Sequence, residues 1–538
     1  MNPSESAVLA EVVANMPVLP LSQVAIHLRP EDNVAIAKKP IPGGSELTID
    51  GVTVKVEAPV KLGHKLAIRP IKKGDAILKY GQIIGFASQD IPVGGHAHVH
   101  NVKADAFERD YAFAQDIPPP LPAPDVYRTF MGYDRGADRP DHLRYGTRNY
   151  VAIISTVNCS ATTSKYVAER IRASGILKQF PNVDGIVPIT HRSGCAMAYG
   201  GPDHHQLDRT LAGFARHPNI AAYILIGLGC ETGQAKHLVE NERLELLQLG
   251  KPRKAPLVLT IQECGGISKT VDAGVKAVAE LLPVANEIRR VELPARHLIL
   301  GTNCGGSDGN SGVTANPALG VASDLIIQQG GTSILGETTE IYGAEHLLTR
   351  RAVTKEVGEK LVERIKWWEW YTGIFGAEIN NNPSVGNKEG GLTTIFEKSL
   401  GAIAKGGSTA MVDVVQYAEP VTKKGFIVMD TPGYDPVSMT GIVAGGANVL
   451  VFTTGRGSVF GCKPAPSIKV ATNSPMFHHM IDDMDINAGT ILEGNTVEEV
   501  GRELFEEILA VASGKKTKSE INGVGEEEFA PWSIGPTL

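Results

Sequence analysis

Val151-Ala-Ile-Ile-Ser-Thr156 is an apolar run rich in β-branched residues, and Cys159 stands three positions beyond it. The arrangement recurs: Gly185 to Ile189 precedes Cys195, Ala221 to Leu228 precedes Cys230, Pro256 to Ile261 precedes Cys264, and His297 to Leu300 precedes Cys304. Successive cysteines are 36, 35, 34 and 40 residues apart. That is the length of a strand, a crossover helix and two loops, so the spacing predicts consecutive βαβ units of a parallel sheet. Parallel strands share one direction, which sets each thiol just past a carboxyl end, along the edge where open α/β sheets place their ligands. A single cysteine of this kind is more often a small core residue. Five in register, flanked by Gly, Ser or Glu, point instead to exposed turns and a shared metal or substrate site.

The chain divides around these units, since 538 residues exceed what one core supports. Residues 22–103 read as a small all-β domain: Val34 to Ala37, Leu47 to Ile49, Val52 to Val54, Lys65 to Ile68 and Ile83 to Phe86 are short β-like runs between Gly, Pro and Asp turns. Residues 104–140 read as a linker, stiffened by Asp116-Ile-Pro-Pro-Pro-Leu-Pro-Ala-Pro124. The βα alternation then fills a middle domain, 141–291, and a C-terminal domain, 292–538. Val353 to Tyr371 is predicted to be an amphipathic helix whose Trp367, Trp368 and Trp370 serve packing or a subunit contact.

A formal charge of −7 and a pI near 6.1 argue against a nucleic-acid partner, whose phosphates call for a basic face. No apolar stretch approaches the roughly 20 residues that span a bilayer, and the N-terminus lacks a basic flank followed by an apolar core. A cytoplasmic protein without a membrane partner is expected. Six cysteines in such a chain are ligands or reactive groups sooner than a disulfide scaffold.

His96-Ala-His98-Val-His100 sets three imidazoles on one face of a predicted strand, for a metal or an anionic substrate; an exposed polar edge is the plainer reading. Gly63-His64-Lys65 and Lys79-Tyr80-Gly81 add cations and a hydroxyl. Thr190-His191-Arg192-Ser193-Gly194-Cys195 offers a base, a cation and a thiol at one strand end. Gly227-Leu-Gly-Cys230-Glu231 is a strand-to-helix turn whose amides suit an anion, though it lacks a full dinucleotide fingerprint. Thr302 to Gly312 packs glycines around Cys304, hydroxyls and Asp308, a composition that seldom serves as core. Glu337 and Glu340 follow another β run as candidate metal ligands or general bases. Lys388 and Arg456 each lie in a polar, glycine-rich loop suited to a substrate carboxylate.

Taken together, these strings resemble the altronate and galactarate dehydratase family. The matching blocks are Asp32-Asn-Val-Ala35, Gly63-His-Lys65, Lys79-Tyr-Gly81, Leu225 to Glu231, Cys304-Gly-Gly-Ser-Asp308, Ser311 to Pro317, Gly386-Asn-Lys388, Phe452 to Gly457 and Asp485 to Gly489. The resemblance runs from about residue 22 nearly to the end, leaving the first twenty residues private to this chain. It implies a β-clip domain of the SAF type, a middle α/β domain and a C-terminal Rossmann-like domain. It also implies a homodimeric, iron-dependent hydro-lyase acting on a small sugar acid, altronate by the His96 to Asn101 string or galactarate by Asp485 to Thr490. The iron, as Fe2+ or an iron–sulfur cluster, would be held by Cys159, Cys195, Cys230 and Cys304. His191, Glu231 and Glu337 would be catalytic, and His64, Lys65, His96, His98, His100, Asn316, Lys388 and Arg456 would bind substrate. Cys264 matches no family block. The alternatives are a lyase with another leaving group, a nicotinamide-dependent oxidoreductase and a non-catalytic sugar-acid sensor.

Overall fold

Short strands broken by Gly and Pro build the N-terminal domain. In the computed structural model, which describes residues 18–246 and 254–538, Ala25–Ile26, Val34–Ala37, Lys65–Ala67 and His96–Ala97 form a four-stranded antiparallel sheet. Most of the stretch read as private to this chain, up to residue 17, lies outside the described residues. Two hairpins flank the sheet, Glu46–Ile49 with Val52–Lys55 and Ala76–Lys79 with Gln82–Ala87. Their two-residue turns, Asp50-Gly51 and Tyr80-Gly81, have positive φ throughout, the conformation that matches strand twist. Tyr80 carries a side chain in that left-handed region, and the Asp32 carboxylate holds it there by accepting the Tyr80 and Gly81 N–H groups at 3.1 and 2.7 Å.

The proline-rich segment is strapped to the C-terminal domain. Ala114 and Asp116 donate their N–H groups to the Thr349 and Arg350 carbonyls, and the Gln328 amide donates to the Pro122 carbonyl. It ends earlier than residue 140: Thr129–Asp134 is a strand pairing antiparallel with Arg290–Pro294 and Tyr145–Gly146. The boundary expected at 292 thus falls inside a strand that ties the entry of the middle domain to its exit.

Between those strands lies a four-stranded sheet, entirely parallel, in the order Gly185–Ile189, Tyr150–Ser155, Ile220–Gly227, Val258–Thr260. Its central strands are buried on both faces, as their unbroken apolar runs require. Chain order reverses between Tyr150–Ser155 and Ile220–Gly227, and Cys159, Cys195, Cys230 and Cys264 all follow carboxyl ends of this one sheet.

Cys304 belongs to a second sheet of seven parallel strands, ordered Met411–Val415, Gly425–Met429, Thr332–Leu335, Ile299–Cys304, Val449–Thr454, Ser467–Ala471, Ile486–Asn487. Here the order reverses between Ile299–Cys304 and Val449–Thr454, so the turns after Cys304 and Thr454 meet at the switch point: the Gly455 and Arg456 N–H groups both donate to the Gly306 carbonyl. The tryptophan helix runs Lys355–Ile374. Trp368 is buried and stacks on Trp532, whereas Trp370 faces solvent.

The N-terminal domain seats on this second carboxyl edge through buried charge. Glu397, in the helix Ile395–Ala402, lies between Lys65 and Lys79 at 2.8 and 2.9 Å, all three side chains wholly inaccessible. Burial works to raise the Glu397 carboxyl, but the two ammonium groups outweigh it and hold it well below the usual range. The spare ammonium protons go to backbone, Lys65 to the Gly391 carbonyl and Lys79 to that of Gly309. Gly309 has to be glycine, because a Cβ there would overlap the Gly63 carbonyl. Breaking a buried ion set by neutralising one member costs about 3–5 kcal/mol. Glu397→Gln is therefore expected to lower unfolding stability by about that amount, measured by denaturant titration at pH 7. The loss should shrink as pH falls below the usual carboxylate range, because the unfolded wild-type chain then takes up a proton that folded Glu397 does not, eroding the stability the triad contributes.

Candidate active site

Four loops meet at the seam between the N-terminal domain and the seven-stranded sheet: 63–64, 96–100, 306–310 and 387–391. The strand carrying the histidines stops at Ala97, so the expected alternation along a strand is not what gathers them. A turn does so instead. The Asn101 side chain accepts the His98 N–H at 2.8 Å and donates to the His96 carbonyl at 3.0 Å, which stacks the His96 and His98 rings at 5.3 Å. His64 joins them from the neighbouring strand, its Nδ1 3.0 Å from His96 Nε2 and its Nε2 3.0 Å from the Glu389 carbonyl. One nitrogen each of His64, His96 and His98 lies within 4.8 Å of the others. Burial first, then neighbouring positive charge, pushes His96 down to about 4 and His98 to about 3, so these rings are neutral donors at pH 7. His100 is exposed, its ring 5.5 Å from that of His96.

Around them are buried polar atoms without a protein partner: both amide atoms of Asn310, Ser307 Oγ and His98 Nδ1. The Asn310 amide points towards Gly63, where a Cβ would come within 3.2 Å of its nitrogen. Asn387 donates to the Ser307 carbonyl at 2.8 Å, and Gly309 N–H to the Gly390 carbonyl at 2.9 Å, fixing the loops against each other. Arg456, half exposed and 3.6 Å from Glu389, and Lys388 supply cations. Lys65 is committed to Glu397. Asn316 is likewise spent within the fold, donating to the Gly401 carbonyl and accepting from the Thr453 hydroxyl.

A second cluster adjoins the turn that carries Arg456. Cys304, Glu337 and Glu340 converge with donor atoms within 4.8 Å, all buried. Lys405 Nζ lies 2.9 Å from Cys304 Sγ and also bonds Glu337, while Lys398 reaches Glu340 at 2.7 Å. Burial and the adjacent Glu337 push the Cys304 thiol up to about 12. Burial raises the Glu337 carboxyl to about 8, against the opposing pull of Lys405, and leaves its Oε1 unpartnered. Glu337 sits in the left-handed region, φ 60° and ψ 57°, held by donation of its N–H to the Thr431 hydroxyl. Such a conformation costs of order 1–3 kcal/mol in a residue with a Cβ and concentrates at working sites.

The remaining predicted residues lie on the four-stranded sheet. Cys159, Cys195 and Cys230 are exposed, and Cys304 is on the other sheet, so the four thiols are not one ligand set for a single ion. His191 has both nitrogens engaged, Nε2 with the Ser155 carbonyl and Nδ1 accepting the Ser193 N–H; it orders a turn and has no nitrogen left to carry a proton. Glu231 is equally occupied. Its carboxylate accepts the Leu228 and Gly229 N–H groups, so the turn whose amides suited an external anion already holds one of its own. Glu397, Lys405 and Lys398 were not singled out in the sequence. A charged residue in a helix reads as solvated surface; contact across domains reveals otherwise for Glu397, and contact with Cys304, Glu337 and Glu340 of their own domain does so for Lys405 and Lys398.

Comparison with known proteins matches the sequence of all three domains to one family. Residues 23–105 match the altronate/galactarate dehydratase SAF domain, 132–286 the second domain of D-galactarate dehydratase/altronate hydrolase, and 295–537 the C-terminal domain of D-galactarate/altronate dehydratase. Altronate dehydratase of Bacillus subtilis (strain 168) is 35% identical over 95% of this chain and 99% of that protein. Altronate dehydratase of Escherichia coli (strain K12) is 34% identical over the same shares. Galactarate dehydratase (L-threo-forming) of E. coli (strain K12) is 38% identical over 91% of this chain and 93% of its own length. With its three domains matched in order and relatives 34–38% identical over 91–95% of its length, the chain belongs to the altronate/galactarate dehydratase family.

Proposed function

We propose that this chain is a hydro-lyase that dehydrates a sugar acid in the seam, altronate to 2-dehydro-3-deoxygluconate in the first instance, with galactarate the alternative substrate. The observation that carries this reading is the set of unpartnered buried polar atoms on Ser307, Asn310 and His98, between loops that bring Lys388 and Arg456. A polyhydroxy acid offers hydroxyls to the former and a carboxylate to the latter. The seven-stranded sheet acts as a Rossmann-like support, since its switch point delivers the Gly306 and Arg456 turns. A cytoplasmic homodimer accompanies this reading, with the exposed Trp370 and Phe375 as apolar surface at hand for a subunit contact.

Dehydration removes the proton beside the carboxylate, which the exposed His100 imidazole beside the other three histidines is placed to accept, and expels hydroxide from the next carbon. Arg456 and Lys388 anchor the carboxylate and spread the negative charge that develops on it. Asn310 and Ser307 orient the hydroxyls. Glu337, protonated near neutral pH, is the group suited to protonate the departing hydroxide. Iron fits the three imidazole nitrogens: they are neutral, gathered for one ion, and His64 is fixed in its tautomer by donation from Nε2 to the Glu389 carbonyl. Bound there, iron would supply a Lewis acid for a substrate oxygen.

Anaerobic turnover of altronate and galactarate by iron-loaded protein tests the proposal, and failure on both acids overturns it. Arg456→Ala is expected to raise KM about 10- to 100-fold, the worth of one charge-assisted hydrogen bond. If Glu337 is the acid, kcat falls as pH rises through about 8, where the carboxyl gives up its proton. Glu337→Gln should lower kcat about 100-fold or more and abolish that alkaline limb; a variant retaining the limb assigns the proton elsewhere.

A further inference from the structure

A cavity of about 800 Å³ opens between the middle and C-terminal domains and shares no lining residue with the seam. The middle domain contributes Thr162 from the helix Asn158–Ser174, with Arg192 and Ser193 from the turn after Gly185–Ile189. Tyr434 and Pro436 come from the C-terminal domain, and the tail from Glu527 to Ser533 completes the lining. That tail is fastened to both domains. The Ala530 N–H donates to the Thr440 hydroxyl at 2.9 Å, the Gln206 amide to the Trp532 carbonyl at 2.7 Å, and the Ile534 N–H to the Asp203 carboxylate at 2.7 Å. Phe529 is buried edge-on against Phe214, with ring centroids 4.6 Å apart. Fixed backbone therefore shapes the cavity, as a preorganised site requires.

The charges in the lining are sorted by domain. Lys165 and Arg192 belong to the middle domain, Glu527 and Glu528 to the tail. Lys165 is spent on Glu527 at 2.6 Å, whereas the Arg192 guanidinium is exposed and has no protein partner among the described residues. Glu528 keeps Oε2 sealed from solvent without a hydrogen-bond partner, and a buried acceptor of this kind calls for a donor that the protein does not supply. Thr162 and Thr190 add hydroxyls. A ligand that meets these groups carries an anionic end for Arg192 and a hydroxyl for Glu528, and cavities of this size hold small molecules. We propose that the cavity is a second sugar-acid site, the carboxylate held by Arg192 and a hydroxyl donating to Glu528 Oε2. The class of ligand rests on the sugar-acid reading of the seam, while the residues of the site are its own.

Isothermal titration of the full chain with altronate and with galactarate, chelator present to stop turnover, reads the site directly. Arg192→Ala should weaken binding there about 10-fold or more, the worth of a charge-assisted hydrogen bond. Glu527→Gln should tighten it about 2- to 5-fold, because loss of one exposed ion pair frees the Lys165 ammonium for the anion. A gain of this kind cannot come from misfolding. Arg456→Ala, which removes a cation of the seam, should leave this site intact. Binding that Arg192→Ala and Glu527→Gln leave unchanged, in a protein that dehydrates either acid, overturns the second site and spares the seam. Arg192-dependent binding in a protein that dehydrates neither acid keeps the site and overturns the reading of the seam.

Discussion

One carboxylate shared by two ammonium groups joins the first domain to the third. Glu397 is wholly inaccessible between Lys65 and Lys79, and in a low-dielectric setting none of the three is tolerable without the others. Two of the charges come from one domain and one from another, so the triad is completed only on docking. Docking also brings the Gly63 backbone against Gly309 and Gly391, and His64 against the Glu389 carbonyl. The geometry of the seam therefore follows from satisfying a buried charge, and the histidines, loops and unpartnered amides inherit their positions from it.

Two parallel sheets use the same device to different ends. Each reverses its strand order once and exposes turns at that point. On the seven-stranded sheet the N-terminal domain packs on those turns at Gly309 and on the neighbouring loop at Gly391, and Cys304 lies buried beside them among Glu337, Glu340 and Lys405 of its own domain. On the four-stranded sheet they carry exposed thiols. The same residue type is thus a thiol held protonated by burial and the adjacent Glu337 in one place and an accessible sulfur in the other.

The parallel sheet was legible because period and length coincide: five apolar runs at near-constant spacing leave little room for another topology. What spacing could not show was that the fifth unit begins a new sheet, since the short strands Thr129–Asp134 and Arg290–Pro294 that separate the two domains pair across about 160 residues of chain. Loops rich in glycine and histidine, singled out by composition, are the ones that meet at the seam. The roles inside them were less legible. His191 and Glu231 have the chemistry of catalysts, yet their hydrogen bonds are consumed by their own turns. Glu397 and Lys405 have the look of surface charges and are buried. Neighbours within the turn decide the first case, and partners far away in sequence the second.

The strapped proline-rich segment has a consequence for binding strength. Because Ala114, Asp116 and Pro122 are already bonded to the C-terminal domain, the tether leading back to the N-terminal domain is short. An undocked N-terminal domain cannot diffuse far, and its effective concentration at the seam is on the order of millimolar or above, as for short linkers generally. The seam can then open and reclose as a unimolecular event, exchanging its contents without the protein ever losing a part.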